Sequence, residues 1–220
     1  MYTGALCERR RFLYELRPLM TKAINNKSME FFETQFQRQV RDKEYTLNPF
    51  EILALDYIKG SVLDLGSGLG NLSLEAGRRG CHVLAVDYSP TAITRINAEA
   101  QSKGLPVHAI EADLSTWNVG QQFDTIIAIG LLMFFRQPKA LELLSSIQSH
   151  INSGGHAIVN VLTEGTSFMG MFDPVNYYLF GVDELEERFN GWTILVSKRE
   201  GFPAPGGTCK NFSTVIARKP

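Results

Sequence analysis

The sequence predicts an α/β fold in one domain, with an open, mostly parallel β-sheet and helices on both of its faces. Short apolar segments alternate with helical segments from residue 61 to residue 162, which is typical of βα units and a parallel sheet. A chain of 220 residues, 44% of them hydrophobic, can also bury one large core. Two further apolar segments near the C-terminus are joined without a helix, so they are predicted to be antiparallel neighbours.

The N-terminal residues 1–47 are predicted to form a helical cap segment, followed by the main domain over residues 48–220. Apolar side chains recur at helical spacing in residues 5–20 and 28–41. These helices can act as a lid over a ligand or simply cover apolar surface, and the sequence favours neither. The first twenty residues lack the uninterrupted apolar core and cleavage site of a signal peptide.

The main domain is predicted to begin with a helix from Asn48 to Gly60, because asparagine is a favourable N-cap and Pro49 suits the first helical position. Strands and helices then alternate. The predicted strands are 61–65, 81–87, 106–113, 123–129 and 156–162, and the predicted helices are 71–79, 89–103 and 138–150. The remaining predicted segments are a loop at 163–178, a short helix at 182–189, and strands at 192–197 and 211–217 joined by a loop at 201–207.

The net charge and the cysteine pattern limit which cellular compartment and which classes of binding partner are expected. The formal net charge of -1 gives no general attraction to nucleic acid or to an anionic membrane, and no apolar run approaches the roughly 18 residues of a membrane span. Cys7, Cys81 and Cys209 are widely separated, with no C-x-x-C spacing, so neither a disulfide framework nor a metal site is expected. The sequence therefore predicts a cytoplasmic protein with no nucleic-acid or membrane partner.

The most informative stretch is a glycine-rich turn between the first strand and the next helix, Asp64-x-Gly66-x-Gly68-x-Gly70. Glycines let the chain turn sharply and let a ligand approach the bare backbone. The spacing differs from the G-x-G-x-x-G of dinucleotide sites, and a carboxylate before the first glycine repels a pyrophosphate but attracts an ammonium group. S-adenosylmethionine (SAM) carries such a group. The predicted cofactor contacts in this turn are Asp64, Gly66, Ser67, Gly68 and Asn71.

Acidic residues close the first three predicted strands, at Asp64, Asp87 and Asp113. In an open parallel sheet the ligand lies beyond the carboxyl ends of the strands. Asp87, about twenty residues beyond the turn, can accept hydrogen bonds from both ribose hydroxyls, although on its own it would also suit a helix N-cap. Asp113 can accept a hydrogen bond from the exocyclic amine of a purine, although it would also suit a plain loop.

Three more residues complete the predicted cofactor site. Tyr88 can place its ring against a purine face, and the backbone of Leu114 can pair with the purine edge. Ile129, at the end of the fourth predicted strand, is a further expected contact.

With these residues in place, residues 48–219 resemble the class I SAM-dependent methyltransferases. Five short segments in the C-terminal half are similar to segments of the tellurite-resistance (TehB-like) branch of that family. They are 131–135, 178–180, 184–185, 191–192 and 212–219. The resemblance implies a Rossmann-like sheet of seven strands in the order 3-2-1-4-5-7-6, with the last strand antiparallel. It also implies SAM as the cofactor, S-adenosylhomocysteine (SAH) as its product, and a small, soft or anionic methyl acceptor.

One segment departs from that branch. There, the segment before the last strand carries histidine and arginine residues associated with the substrate, whereas here residues 201–210 carry Pro203, Pro205, Cys209 and Lys210. The fold and the cofactor therefore carry over from the resemblance, and tellurite as the substrate does not.

The acceptor is defined mainly by features that the sequence lacks. Residues 129–134 lack the Asp/Asn-Pro-Pro-aromatic element of base-amino methyltransferases, and the paired glutamates of arginine methyltransferases and the acidic metal ligands of catechol-type enzymes are missing too. A thiolate or oxyanion acceptor needs no general base, because methyl transfer then depends on alignment in a dry pocket. No catalytic residue is assigned. The residues predicted to wall the pocket, unless they are simply core, are Met133, Phe134, Phe135, Tyr177 and Tyr178.

Two other functions stay open at this point. The cofactor motif is stronger than any substrate motif, so a SAM-binding sensor or partner module that transfers no methyl group fits the same residues. A nicotinamide-dependent oxidoreductase is disfavoured by the glycine spacing and by Asp64. The sequence favours a SAM-dependent methyltransferase that acts on a small molecule.

Overall fold

Seven β-strands form one sheet in the computed structural model of the protein, which describes residues 26–220. The strands are β1 (Ser61–Leu65), β2 (His82–Asp87), β3 (Val107–Glu111), β4 (Phe123–Ile129), β5 (Ile151–Leu162), β6 (Thr193–Ala204) and β7 (Thr208–Arg218). Their order in the sheet is β3-β2-β1-β4-β5-β7-β6. Only β7 runs antiparallel to its neighbours, β5 and β6. The predicted strand order and the antiparallel last strand are confirmed.

Helices cover both faces of the sheet and connect the parallel strands, except that a loop without a helix joins β3 to β4. The α-helices are α1 (Lys27–Asp42), α2 (Pro49–Ala54), α3 (Asn71–Arg78), α4 (Pro90–Lys103), α5 (Gln137–Ser149) and α6 (Glu184–Glu187). Short 3-10 turns lie at Leu132–Phe134 and Pro205–Gly207. Within residues 26–220, no helix is both long enough and apolar enough to cross a membrane.

Side-chain caps define where several of these helices begin. The Asn26 side chain accepts hydrogen bonds from two backbone N–H groups of α1, and Ser89 caps α4 in the same way with one bond. At α2, Asn48 accepts from the backbone of Glu51 while the Glu51 carboxylate accepts from the backbone of Asn48, which is a capping box. The sequence predicted Asn48 as the cap, but the reciprocal bond to Glu51 was not predicted.

Helix α2 ends at Ala54, not at Gly60 as the sequence predicted. After the helix the chain forms a tighter turn, in which the N–H of Tyr57 donates to the carbonyl of Ala54, three residues earlier. Lys59 then pairs with β4, since its N–H donates to the Thr125 hydroxyl and its carbonyl accepts from the same hydroxyl. This contact with a distant strand draws residues 55–60 out of the helix.

The hairpin of β6 and β7 is longer than predicted. Residues 201–204, predicted as loop, pair with residues 208–211 of β7, so the prediction of a loop over 201–207 was wrong for its first four residues. Only Pro205–Gly207 remain as the connection. Pro203 is tolerated because β6 is the edge strand, where a missing N–H leaves no partner unpaired. Strand β5 likewise begins at Ile151, five residues before its predicted start.

Three apolar clusters hold the domain together. One lies on the sheet face covered by α5 and α6, and a second lies on the face covered by α2, α3 and α4. The third, which we call the carboxyl-edge cluster, lies where β4 and β5 end. Its buried members are Met133, Leu162, Met171 and Phe172, and its partly buried members are Phe31, Phe32, Phe134, Phe168, Leu179 and Phe212.

Asp124 joins three strands near the amino end of the sheet. Its carboxylate accepts hydrogen bonds from the backbone N–H and the hydroxyl of Ser61 in β1, each at 2.9 Å, and from the side chain of Asn152 in β5 at 2.8 Å. These bonds, that from the Ser61 backbone first, hold the pKa of Asp124 below its usual value.

We predict that Asp124→Asn lowers the free energy of unfolding by about 1–3 kcal/mol at pH 7. Because the folded-state pKa is depressed, the carboxylate stabilises the protein above its unfolded pKa of about 4, and this contribution is lost as the pH falls through the folded value. Urea unfolding at pH 7 and pH 3 should therefore show a smaller difference between variant and wild type at pH 3. Asp56→Asn, at an exposed residue, is the control, and an equal difference at both pH values would contradict the account.

Candidate functional site

The glycine turn lies at the carboxyl edge of the sheet, between β1 and α3. Its first two residues donate backbone hydrogen bonds to the carbonyl of Val86 in β2, Gly66 at 2.8 Å and Ser67 at 3.2 Å. Gly68 and Gly70 have φ angles of 52° and 73°, in the left-handed region that favours glycine. The turn is therefore fixed against the neighbouring strand before α3 begins.

Two helices pack directly on this turn. A Cβ atom at Gly70 would lie 2.3 Å from Cγ1 of Ile96 in α4, and one at Gly68 would lie 3.3 Å from the ring of Phe36 in α1. Neither position has room for a side chain without movement of its neighbour. The close approach explains why glycine is required there for packing as well as for backbone conformation.

Asp87, the last residue of β2, ties the glycine turn to the start of α4. One of its carboxylate oxygens accepts the N–H of Gly68 at 2.8 Å, and the other accepts the N–H of Ser89 at 2.9 Å. Burial raises the pKa of Asp87, and the bonds from Ser89 and Gly68 oppose that rise. A carboxylate has about four acceptor positions, so Asp87 can still accept hydrogen bonds from a ligand that lies on the turn.

Asp64 lies beneath the turn, in β1, with only 4% of its surface exposed. Its carboxylate accepts a hydrogen bond from the Ser73 hydroxyl of α3 at 2.5 Å. Burial raises the pKa of Asp64 to about 7, Ser73 opposes the rise, and the carboxylates of Glu51 and Asp87 add to it. A cation within reach would favour the ionised form of this group, as expected of a residue that attracts an ammonium.

The three residues predicted to hold a purine lie around the ends of β2 and β3. Tyr88 follows β2 and is 39% exposed, whereas Leu114 is buried. Asp113 lies two residues beyond the observed end of β3, and its carboxylate accepts the N–H of Ser115 at 2.8 Å. The sequence placed Asp113 inside a strand, but β3 ends at Glu111 and Asp113 belongs to the following turn. Ile129 ends β4, level with Asn160 in β5.

Helix α1 crosses this site, a contact that the sequence left open. Its Glu33 carboxylate accepts hydrogen bonds from the hydroxyls of Ser89 and Thr91 at the start of α4. Phe36 meets Gly68 as described, and the ring of Phe32 packs edge-on against Phe134, with centroids 5.0 Å apart. Glu33 was not predicted, because no local pattern links it to α4. The helix predicted at 5–20 lies outside the described residues.

The predicted acceptor pocket separates into two groups. Met133 and Phe134 lie in the carboxyl-edge cluster, and Tyr177 joins them through Phe172, whose ring centroid is 5.2 Å away. Phe135 instead packs in the core on the α5 face. Tyr178 packs against that core and donates its hydroxyl to Glu184. The structure therefore separates the side chains of Phe135 and Tyr178 from the other three, although the backbone N–H of Tyr178 donates to the carbonyl of Met133 at 3.0 Å.

Four buried polar atoms near this edge have no hydrogen-bond partner within the described structure. They are the Ser67 hydroxyl, the Asn71 side-chain carbonyl, the Asn160 side-chain carbonyl and Nε of Arg95, whose guanidinium donates to the carbonyl of Leu69 in the glycine turn. Buried polar groups are nearly always paired. Ser67 and Asn71 lie on either side of Gly68 and Gly70 in the chain, so the turn presents bare backbone and unpaired polar atoms together. This combination fits a polar ligand such as the amino-acid portion of SAM.

Comparisons with known proteins agree with this geometry. The family described as "Methyltransferase domain" matches residues 62–155, from β1 to the start of β5. The solved structure of TehB from Haemophilus influenzae superposes with a TM-score of 0.70 and 21% sequence identity, over 86% of this chain and 67% of that chain. The fold and the matched segment, which covers less than half of the chain, make this chain similar to the class I SAM-dependent methyltransferases.

Among individual proteins, the chain is similar to TehB. The TehB sequence of Haemophilus influenzae strain 10810 is 26% identical over 165 residues, which is 72% of this chain and 57% of TehB. Hemagglutinin 1 of Eikenella corrodens is 28% identical over 164 residues, 72% of this chain and 54% of that protein. The chain thus spans little more than half the length of these relatives.

We predict that Asp64→Asn changes how stability depends on pH. The folded-state pKa of Asp64 is raised, so between about pH 4 and 7 the folded protein holds a proton that the unfolded chain has lost, and stability falls as the pH rises. The variant lacks this penalty and should gain on the order of 2–3 kcal/mol over wild type between pH 5 and pH 8. Urea unfolding across this range measures the difference. Parallel pH profiles for the two proteins would show that Asp64 is ionised in the folded state throughout.

Proposed function

We propose that this chain binds SAM and transfers its methyl group to a small-molecule acceptor. The observation that carries the proposal is the preformed glycine turn at the carboxyl edge, closed by the Asp87 carboxylate on the N–H of Gly68 and bordered by the unpaired Ser67 and Asn71 atoms. The family match and the relatives support it.

Each predicted cofactor residue then has a role in holding SAM. The turn from Gly66 to Gly70 would hold the amino-acid portion, with Asp64 supplying negative charge for its ammonium group. Asp87 would accept from the ribose hydroxyls through its remaining acceptor positions. Asn71 would border the amino-acid portion as well. The remaining contacts would be Tyr88 on the purine face, Asp113 and Leu114 at the purine edge, and Ile129 at the end of β4.

Bound SAM supplies a methyl group activated on a sulfonium, and the chain's contribution is alignment and exclusion of water. The carboxyl-edge cluster provides an apolar wall of aromatic rings and thioethers beside the end of β4. Direct displacement needs the acceptor atom and the methyl carbon held in line in such a dry site. A thiol or a chalcogen oxyanion suits it best, because neither needs a general base when ionised. We place the reaction in the cytoplasm, on the charge and cysteine usage of the chain.

We predict that Asp87→Ala weakens SAM and SAH binding at least tenfold, because it removes the ribose acceptor and releases the N–H groups of Gly68 and Ser89. Isothermal titration calorimetry on wild type, Asp87→Ala and the exposed control Asp56→Ala measures the effect. If the wild type has no affinity for SAM or SAH, the proposal is overturned. Binding of NAD in their place would favour an oxidoreductase.

The same preparation decides between an enzyme and a binding module. SAH release is followed with thiols, oxyanions, amines and chalcogenides as acceptors. Turnover with at least one of them supports methyl transfer. Tight SAM binding without SAH release from any acceptor would favour a sensor or partner module.

We further propose that the N-terminal cap segment closes over the cofactor through α1. Phe36→Ala removes the ring that packs on Gly68, so SAM dissociation should accelerate about tenfold in stopped-flow displacement, while the melting temperature changes little. Thr34→Ala, an exposed position on the same helix, is the control. An unchanged SAM dissociation rate in Phe36→Ala would contradict this proposal and would show that α1 only covers apolar surface.

A further inference from the structure

Lys210 is a partly buried cation that contacts an aromatic ring. It lies on β7, and its ammonium is 4.6 Å from the ring centroid of Phe168. Phe202 of β6 is its partner in the strand register, and the ring of Phe202 packs on Phe212, two residues from Lys210. Burial lowers the pKa of Lys210, and no carboxylate in the described residues offsets that effect.

A lysine in such surroundings costs free energy unless an anion compensates its charge. The cation–π contact with Phe168 returns only part of that cost, about 0.5–2 kcal/mol. Some other lysines of the described residues pair with carboxylates or backbone carbonyls, such as Lys103 with Glu99 and Lys59 with Gly154, whereas Lys198, which has no such partner, is exposed to water. The properties of Lys210 are therefore those expected of a cation whose charge is compensated by a bound anionic ligand.

Asn160 is a second incomplete polar group on the neighbouring strand. It is 1% exposed, its side-chain N–H donates to the Thr214 hydroxyl at 2.8 Å, and its side-chain carbonyl has no partner in the described structure. Such an acceptor in an apolar core costs about 1–3 kcal/mol when it stays unpaired. A ligand with a hydrogen-bond donor would satisfy it.

Strand register places both groups on one face of the sheet. Side chains alternate along a strand, so Lys210, Phe212 and Thr214 of β7 share a face. Asn160 is paired with Thr214 and lies on that face too. Phe212 also belongs to the carboxyl-edge cluster. The polar groups therefore lie at two sides of one apolar wall. Phe50 of α2 also packs on this wall, with its ring centroid 4.7 Å from that of Phe212.

One end of this apolar wall lies near the predicted cofactor contacts and the other end lies away from them. Asn160 lies beside Ile129 at the end of β4, next to the predicted cofactor contacts. Lys210 lies farther out, because β7 continues past the last residue of β5 that it pairs with, Leu162. A ligand that touches both groups thus extends from the cofactor side outward along β7.

We propose that this face is the acceptor subsite and that it takes a small molecule with an apolar body, a hydrogen-bond donor near Asn160 and an anionic group on the Lys210 ammonium. The proposal rests on the proposed function, since it names the acceptor of that reaction. The donor near Asn160 is the S–H or O–H of the neutral acceptor as it binds. Its proton would pass to solvent before the displacement, in which the thiolate or oxyanion would attack the methyl carbon while the bond from that carbon to the sulfonium sulfur breaks and SAH leaves. Lys210 is a specificity-determining residue that takes no part in the displacement.

Binding to the SAH complex tests the subsite without turnover. The probes are 3-[4-(mercaptomethyl)phenyl]propanoate and (4-ethylphenyl)methanethiol, which differ by one carboxylate and carry a benzylic thiol that stays protonated at neutral pH. The first is long enough to place its thiol near Asn160 and its carboxylate toward Lys210. Both are titrated calorimetrically into SAH-saturated protein under reducing conditions, and wild type should bind the carboxylate probe about tenfold more tightly than (4-ethylphenyl)methanethiol. Lys210→Met should abolish that preference, Lys210→Arg should retain it, and Lys103→Met, at an exposed lysine of α4, should leave it unchanged. SAH affinity should be equal in all four proteins.

The outcomes separate this proposal from the one on which it rests. Equal binding of the two thiols by wild type, no binding of either, or a preference that survives Lys210→Met would overturn the acceptor subsite while SAH binding stands. Loss of SAH binding in wild type itself would overturn the proposed function. Retention of the preference in Lys210→Met would show in particular that another cation recognises the anion.

The Asn160 contact has an independent test. In the double variant Asn160→Leu/Thr214→Val both polar partners become apolar groups of similar size, which is close to neutral or stabilising for a buried pair. Its melting temperature should equal or exceed that of wild type, while both thiols bind at least fivefold more weakly. Unchanged thiol affinity in the folded double variant would remove Asn160 from the subsite.

Discussion

The bond between the Asp87 carboxylate and the N–H of Gly68 determines how the carboxyl edge is built. Asp87 also accepts from Ser89, so one buried side chain joins the turn after β1 to the turn after β2. Both bonds are charge-assisted and therefore strong for their length. They hold the glycine turn in one conformation before a ligand arrives, which lowers the ordering cost of binding.

Helix α1 depends on the same frame. Glu33 binds the start of α4, Phe36 packs on Gly68, and Phe32 packs on Phe134 in the carboxyl-edge cluster. One helix thus contacts both the turn assigned to the cofactor and the apolar wall assigned to the acceptor. A molecule that enters either place must lie beneath α1 or displace it, so the cap and the two binding regions are physically coupled.

Local sequence patterns predicted what local physics determines. The glycine spacing, the βα alternation and the Asn48 cap follow from backbone sterics and short-range hydrogen bonds, and the family resemblance supplied the strand order. Contacts between distant segments could not be predicted in this way. Thr125 shortens α2, edge pairing lengthens the hairpin of β6 and β7, and packing in different apolar clusters separates Phe135 from Phe134. The pairing of Glu33 with α4 has no signal in the sequence beyond the helical spacing of α1.

A crystal structure of the complex with SAH tests the central claim most directly. The account predicts the amino-acid portion of SAH on the turn from Gly66 to Gly70, the ribose hydroxyls on the Asp87 carboxylate, and the sulfur directed toward the space beside Ile129 and Asn160. A complex in which Asp87 makes no contact with the ribose, or in which SAH lies away from the glycine turn, would contradict it.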